Sequence, residues 1–319
     1  MGKFRNTDSI HAPTLEEKGK VRNQAVTLPI LSEKQVSLTI KREDLIHPLI
    51  SGNKFRKLKY NLIESHRKGF DTVLTFGGAF SNHIAATAYA GKLQGLKTVG
   101  IIRGHELAEK WESNPTLRSA SDQGMQLEFV SREAYRDKEN PSYLKYLQHR
   151  FGPCYLLPEG GTNPLAVKGC EEILTPSDAD FDVICCPVGT GGTLAGIINA
   201  SLENQQILGF PALNGGFLSE DIRNFARKEN WELVDDYHFG GYAKVTGELV
   251  HFINDFKKRT CIPLDPIYTG KMVLGIFELI KKDYFPPKTR ILVVHTGGLQ
   301  GISGMNIHLK KKNLPALDL

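Results

Sequence analysis

The 319-residue chain lacks most of the features that would settle its class at once. No apolar run approaches the ~18 residues that cross a bilayer, so no membrane partner is expected. The first twenty residues, MGKFRNTDSIHAPTLEEKGK, contain no secretory apolar stretch, and Asn6 departs from the myristoylation pattern, so the expected location is cytoplasmic. The five cysteines, Cys154, Cys170, Cys185, Cys186 and Cys261, show neither CxxC nor Cys/His metal spacing. That disfavours a zinc site or a disulfide framework and predicts reduced, mostly buried thiols with no metal. Net charge is +5, but the cations are scattered among nearly as many acids, so anionic small molecules fit better than nucleic acid. The phosphate-binding pattern GxxxxGK[ST] is absent as well.

What remains is a composition typical of globular proteins, 40% hydrophobic and 24% charged, on a chain long enough for about two domains. Short apolar runs alternate with helix-length segments from about residue 50, which predicts α/β architecture on mostly parallel sheets. Strands are expected at 72–76, 98–102, 127–130 and 154–157, then at 183–188, 207–210 and 291–295. Residues 35–42 also alternate as a strand and precede the first group, so they are expected to join the later sheet and make the first unit an insertion.

The stretch SGNKFRKLKY, Ser51 to Tyr60, predicts a helix starting at Lys54, with Phe55, Leu58, Leu62 and Ile63 packed on one face. Arg56, Lys59 and Arg67 are expected to face outward, and Lys57 and Lys59 read as ordinary surface lysines. Two strand-to-helix turns are rich in glycine. Gly77-Gly78-Ala79-Phe80-Ser81-Asn82-His83 leads into a helix-like stretch with Ser81 as its N-cap, a start that suits a carboxylate or phosphate. Gly189-Thr190-Gly191-Gly192-Thr193 can cradle a phosphate with main-chain N–H groups and two hydroxyls. It does not keep the GxGxxG phase of a dinucleotide site. An amine near two such anion sites is the arrangement that imine chemistry needs, and the positive end of a helix dipole would favour the neutral form of Lys54.

These motifs, KREDL with SGNKFRKL, GGAFSNHIAA, GTGGT, LDPIYTGK and HTGG, occur in an order that resembles the pyridoxal-phosphate enzymes of the tryptophan synthase β-like fold (fold type II), and among them the 1-aminocyclopropane-1-carboxylate deaminase and D-cysteine desulfhydrase group. The resemblance runs over roughly residues 38 to 305. It implies that Lys54 carries pyridoxal 5′-phosphate as a Schiff base and that Gly189, Thr190, Gly191, Gly192 and Thr193 bind its phosphate. It also implies that Ser81 and Asn82 meet the substrate carboxylate beside His83, with Asn82 near the ring hydroxyl, that Tyr268 faces the substrate, and that Thr296 bonds the pyridine nitrogen. The layout implied is a large domain of residues 1–47 and 154–319 with a smaller domain, 48–153, inserted, and the functional unit is expected to be a homodimer.

The expected activity is β-elimination from D-cysteine to pyruvate, ammonia and sulfide, with Lys54 as anchor and base. The alternative is deamination of the cyclopropane amino acid to 2-oxobutanoate. The deaminase branch has Glu after the active-site tyrosine, whereas this chain has Thr269, which favours elimination. Tyr242 and Ala243 are further candidates for the pocket wall. A reading from another class is a non-catalytic binder of a phosphorylated metabolite that keeps GTGGT while Lys54 does no chemistry.

Overall fold

The computed structural model describes residues 15–213, 216 and 218–318; the reading of the first residues, Asn6 included, falls outside them. Ten strands among these residues form two sheets. The larger has the order β1-β2-β10-β7-β8-β9, from β1 (Asn23–Val26), β2 (Ser37–Lys41), β7 (Val183–Val188), β8 (Gln206–Pro211), β9 (Trp231–Leu233) and β10 (Arg290–Val294). The smaller has the order β5-β4-β3-β6, from β3 (Thr72–Gly77), β4 (Lys97–Arg103), β5 (Met125–Val130) and β6 (Tyr155–Leu156). Every pairing is parallel except β1 with β2.

The central strands read as unbroken apolar runs because helices cover both faces of each sheet. β3 and β7 are buried at every position. Cys185 and Cys186 point to opposite faces of β7 and join separate core clusters, both fully buried, which suits a packing role for each. The early strand β2 lies against β10, with Ile40 opposite Val293, so the chain passes through the larger sheet before the smaller one and returns to it afterwards. β6 pairs with β3, Leu156 opposite Leu74, so Tyr155 and Leu156 add a strand to the smaller sheet.

Helix α1 (Asn53–Arg67) joins the two sheets. Phe55, Leu58 and Leu62 bury one face, as their spacing requires. Its first residue donates from N to Thr296 O at 3.2 Å, which fixes the helix start against the end of β10. Gly52 makes this approach possible: it has φ 61°, and a Cβ there would lie 2.0 Å from the Thr296 carbonyl oxygen. Arg56 corrects the sequence expectation. It faces inward, 6% exposed, and its guanidinium holds the fully buried Glu43 through Nε and Nη2 at 3.0 and 3.1 Å. A buried carboxylate needs such a partner, so KREDL and FRKL form one structural unit.

No helix among the described residues is long and apolar enough to cross a membrane. No group of three or more His, Cys, Asp or Glu among them could hold a metal ion. The cysteines are free, four of them buried and Cys261 exposed.

Candidate active site

Both sheets divide at their centres in the same way. After β7 the chain moves through helix α3 (Gly192–Ala200) to β8 on one side, while β10 lies on the other. After β3 it moves through helix α2 (Asn82–Leu93) to β4, while β6 lies opposite. Diverging connections leave a crevice at the carboxyl ends of such strands. The two crevices share one cavity of about 1270 Å³. It is reached by Gly189–Gly191 and Thr193 after β7, Thr296 after β10, Gly78–His83 after β3, and Lys54 at the start of α1.

The Lys54 amine is held down to about 7, first by burial and then by the neighbouring Lys57 charge. Among the described residues its hydrogen bond is a long one, 3.4 Å to Asn53 Oδ1. The amine therefore reaches its neutral, nucleophilic form near physiological pH, well below an ordinary lysine.

At the start of α3 no side chain caps the helix, and Gly191 stands there with φ 75°. A Cβ on Gly191 would meet Ile222 Cγ1 at 2.8 Å, so the turn needs glycine for both conformation and space. The open N–H groups, the positive end of the dipole and the Thr190 and Thr193 hydroxyls together suit a phosphate. Asn53 Nδ2 donates to Thr193 Oγ1 at 2.8 Å, tying this turn to the helix that carries Lys54. Gly192 does not reach the cavity; its Cα packs against Thr162, where a Cβ would come within 2.7 Å.

The start of α2 is built differently. Ser81 Oγ accepts from Ile84 N at 3.3 Å and so caps the helix. Asn82 reaches across to the segment after β10, accepting at Oδ1 from Gln300 Nε2 at 2.7 Å. His83 is 2% exposed, and its Nε2 lies 2.8 Å from Thr75 Oγ1. Burial, then the Lys54 and Lys57 charges, push its pKa well below the usual value, so the ring is neutral and supports the turn.

Tyr268 packs against Gly189, where a Cβ would lie 3.2 Å from its ring, and meets Tyr242 edge-on with ring centroids 6.2 Å apart. Burial, followed by Tyr242 and Asp265, raises the Tyr268 pKa well above 10, so the phenol keeps its proton. The Asp265 carboxylate caps helix α4 (Thr269–Lys281), accepting from Ile267 N, Tyr268 N and Thr269 N at 2.8–2.9 Å. Thr269 donates its hydroxyl to the same carboxylate at 2.6 Å and is fully buried, outside the cavity lining. Tyr242 and Ala243 do line the cavity. Their loop is fixed by Lys271, which donates to the His238 and Gly241 carbonyls, each at 2.8 Å, and whose pKa burial lowers to about 8.

Sequence reasoning missed Lys57. It is 2% exposed rather than solvated, and its amine donates to Thr162 Oγ1 at 2.8 Å, Gly160 O at 3.1 Å and Thr190 Oγ1 at 3.3 Å. The available signal was its place three residues after Lys54, one helical turn along the same side. Lys59 does behave as expected, half-buried and paired with Glu172 at 2.7 Å. With Lys57 included, the cavity fits an aldehyde that carries a phosphate: an uncapped helix start, two hydroxyls and a cation for the phosphate, an amine able to lose its proton for the aldehyde, and the Thr296 hydroxyl as a neutral partner for a ring nitrogen.

Residues 18–297 match the family model described as pyridoxal-phosphate dependent enzyme. A Pyrococcus horikoshii protein named "Putative 1-aminocyclopropane-1-carboxylate deaminase" is 35% identical over 287 residues, covering 82% of this chain and 84% of that one. The Arabidopsis thaliana "Bifunctional D-cysteine desulfhydrase/1-aminocyclopropane-1-carboxylate deaminase, mitochondrial" is 30% identical over 304 residues, 83% of this chain and 73% of its own. Among solved structures, one titled as an analysis of the ACC deaminase homologue superposes with a TM-score of 0.81 and 29% identity over 94% of both chains.

Proposed function

The chain belongs to the pyridoxal-phosphate dependent enzymes, and from that premise we propose that it eliminates the Cβ substituent of a small D-amino acid, with D-cysteine giving pyruvate, ammonia and sulfide. The observation that carries the reading is the Lys54 amine, brought to about 7 and set between the starts of α2 and α3. One helix start suits the substrate carboxylate, the other the cofactor phosphate.

In this reading Lys54 Nζ would hold the cofactor covalently, while Gly189, Thr190, Gly191, Thr193 and the Lys57 amine would take the phosphate. Bound there, pyridoxal phosphate supplies an electron sink for the charge left on Cα when its proton leaves. Ser81 and the first N–H groups of α2 orient the carboxylate, and Asn82 with its Gln300 contact closes the site over it. Lys54, once free, takes the Cα proton, and the protonated Tyr268 phenol faces the departing sulfur as an acid. Overall one water is consumed as the C–S and C–N bonds break. Thr296 leaves a ring nitrogen without a counter-charge, and Thr269, tied to Asp265, offers no carboxylate in its place. Both features favour elimination over opening of the cyclopropane ring. The unit around the smaller sheet is read as an inserted domain that carries the carboxylate site. Homodimeric assembly and a cytoplasmic location belong to the same proposal, and light scattering on the purified protein decides the first.

Product identity tests this. Purified protein supplied with cofactor is expected to release pyruvate and sulfide from D-cysteine, and little from L-cysteine. Release of 2-oxobutanoate from the cyclopropane amino acid with no sulfide from D-cysteine would assign the deaminase activity instead. A protein that gains no visible absorbance with cofactor, and no borohydride-stable adduct, would be a binder without catalysis.

A further inference from the structure

Beside the main cavity lies a recess of about 350 Å³ whose charge the proposed chemistry leaves unused. It is lined by Arg103, Arg132, Tyr135, Arg136, Lys138 and Glu159, four cations against one acid. Arg103, Arg132, Lys138 and Glu159 line the main cavity too, so the two spaces adjoin. Arg132 pairs with Glu106 at 2.9 Å and Lys138 with Glu159 at 3.5 Å. Arg103 and Arg136 have no carboxylate within ion-pair distance among the described residues.

Arg103 ends β4, beside the turn that opens α2. A Cβ on Gly78 would lie 3.7 Å from its Nη2, which puts the guanidinium next to the proposed carboxylate site. The guanidinium carbon also sits 5.6 Å from the centroid of the Tyr135 ring. Tyr135 is 3% exposed; burial, then the Glu159 carboxylate beside it, raise its pKa, and its hydroxyl makes no hydrogen bond of ordinary geometry. A buried hydroxyl is expensive to leave poorly paired, so a donor whose near acceptor, Glu159, is already shared with Lys138 leaves room beside the unpaired Arg103 guanidinium for a further acceptor.

We propose that this recess is a side-chain subsite, so that the preferred substrate is an amino acid with a second anionic group beyond Cβ, bound by Arg103 with Tyr135 donating to it. The proposal deepens the reading above and rests on it for the position of the amino group. Arg103 acts here as a specificity residue, away from the bonds that break.

D-Glutamate and D-glutamine have side chains of nearly equal shape and no leaving group at Cβ, so their binding to the cofactor-loaded protein can be read from its visible absorbance without turnover. The wild type is expected to bind D-glutamate about fivefold more tightly, a preference that shrinks with added salt. Arg103→Gln should abolish the preference and Tyr135→Phe should reduce it, each with the visible absorbance of the bound cofactor retained. Equal affinity in the wild type, or no binding of either ligand, overturns the proposal. An Arg103→Gln protein that binds both ligands equally more weakly also overturns it, by placing the guanidinium on the α-carboxylate. Pyruvate release from D-cysteine, measured on the same preparation, separates the two readings: its presence without a glutamate preference sinks the subsite alone, and its absence sinks the elimination.

Discussion

The two glycine-rich turns of this chain occupy equivalent places in their sheets, yet they end in opposite ways. After β3 the turn closes on a capped helix, with Ser81 Oγ satisfying one of the open N–H groups of α2. After β7 the turn passes through Gly191 at φ 75° into α3, which has no side-chain cap. A capped start keeps fewer donors and adds side chains, Ser81 and Asn82, that can discriminate among small ligands. An uncapped start presents its donors bare, which suits a phosphate that is held throughout and need not be told from others. The difference predicts that damage to the second turn acts through cofactor retention and damage to the first through substrate binding.

Lys54 stands between the turns, and its removal should have the largest effect. Lys54→Ala is expected to abolish the borohydride-stable adduct and to lower ketoacid release by at least about 10³-fold. Undiminished turnover would remove Lys54 from the chemistry. Next comes Tyr268, which packs on the second turn but faces the space between them. Tyr268→Phe should cost about 10²-fold in kcat, as loss of a general acid does, while the visible spectrum shows the cofactor retained. Loss of spectrum and rate together would make Tyr268 a structural part of the second turn.

Gly191→Ala tests the uncapped turn itself. The substitution strains a backbone that non-glycine residues avoid, at a cost of order 1–3 kcal/mol, and pushes on Ile222. The expected result is about tenfold weaker cofactor binding, with KM for D-cysteine little changed once cofactor is saturating. A change confined to KM would reverse the assignment of the two turns.

Lys57→Met asks a subtler question, because Lys57 touches Thr190 of the second turn and also lowers the Lys54 pKa. The neutral amine is the form that attacks an aldehyde, and it predominates above the pKa. Cofactor capture by the wild-type apoprotein should therefore rise with pH through about 7. With the Lys57 charge removed, the Lys54 pKa rises and the midpoint at saturating cofactor moves to higher pH. A midpoint that stays in place would leave burial as the sole cause of the depression.

The sequence made the strands legible because buried parallel strands are continuous apolar runs: the expected span 183–188 is β7 to the residue, and the span 72–76 misses only Gly77 of β3. The early strand is expected in the later sheet because its alternation precedes the first α/β unit, and β2 pairs there. Polar burial was harder to read. Arg56 and Lys57 look like surface charges because hydropathy describes a side chain alone, whereas their burial depends on Glu43, Thr162 and Gly160, distant in sequence or carrying no local signal. The recess with Arg103 and Tyr135 gives no local signal for the same reason: its residues come from β4, from the segment after β5 and, with Glu159, from the segment after β6, brought together by parallel pairing.

Ser81→Ala gives the smallest effect and the finest test of the capped turn. Loss of an N-cap costs about 1 kcal/mol, so the melting temperature should fall by about 2 °C. If Ser81 does no more than cap α2, KM and kcat for D-cysteine stay as they are. If its hydroxyl also meets the substrate carboxylate, KM rises about threefold to tenfold while kcat holds, because a contact made equally in the ground and transition states changes binding alone. Ser81→Gly sharpens the distinction, since glycine is nearly as good a cap but has no hydroxyl. That variant should recover most of the stability and none of the KM; recovery of both would leave the first turn a capped helix end and move carboxylate recognition to Asn82 and the main-chain N–H groups.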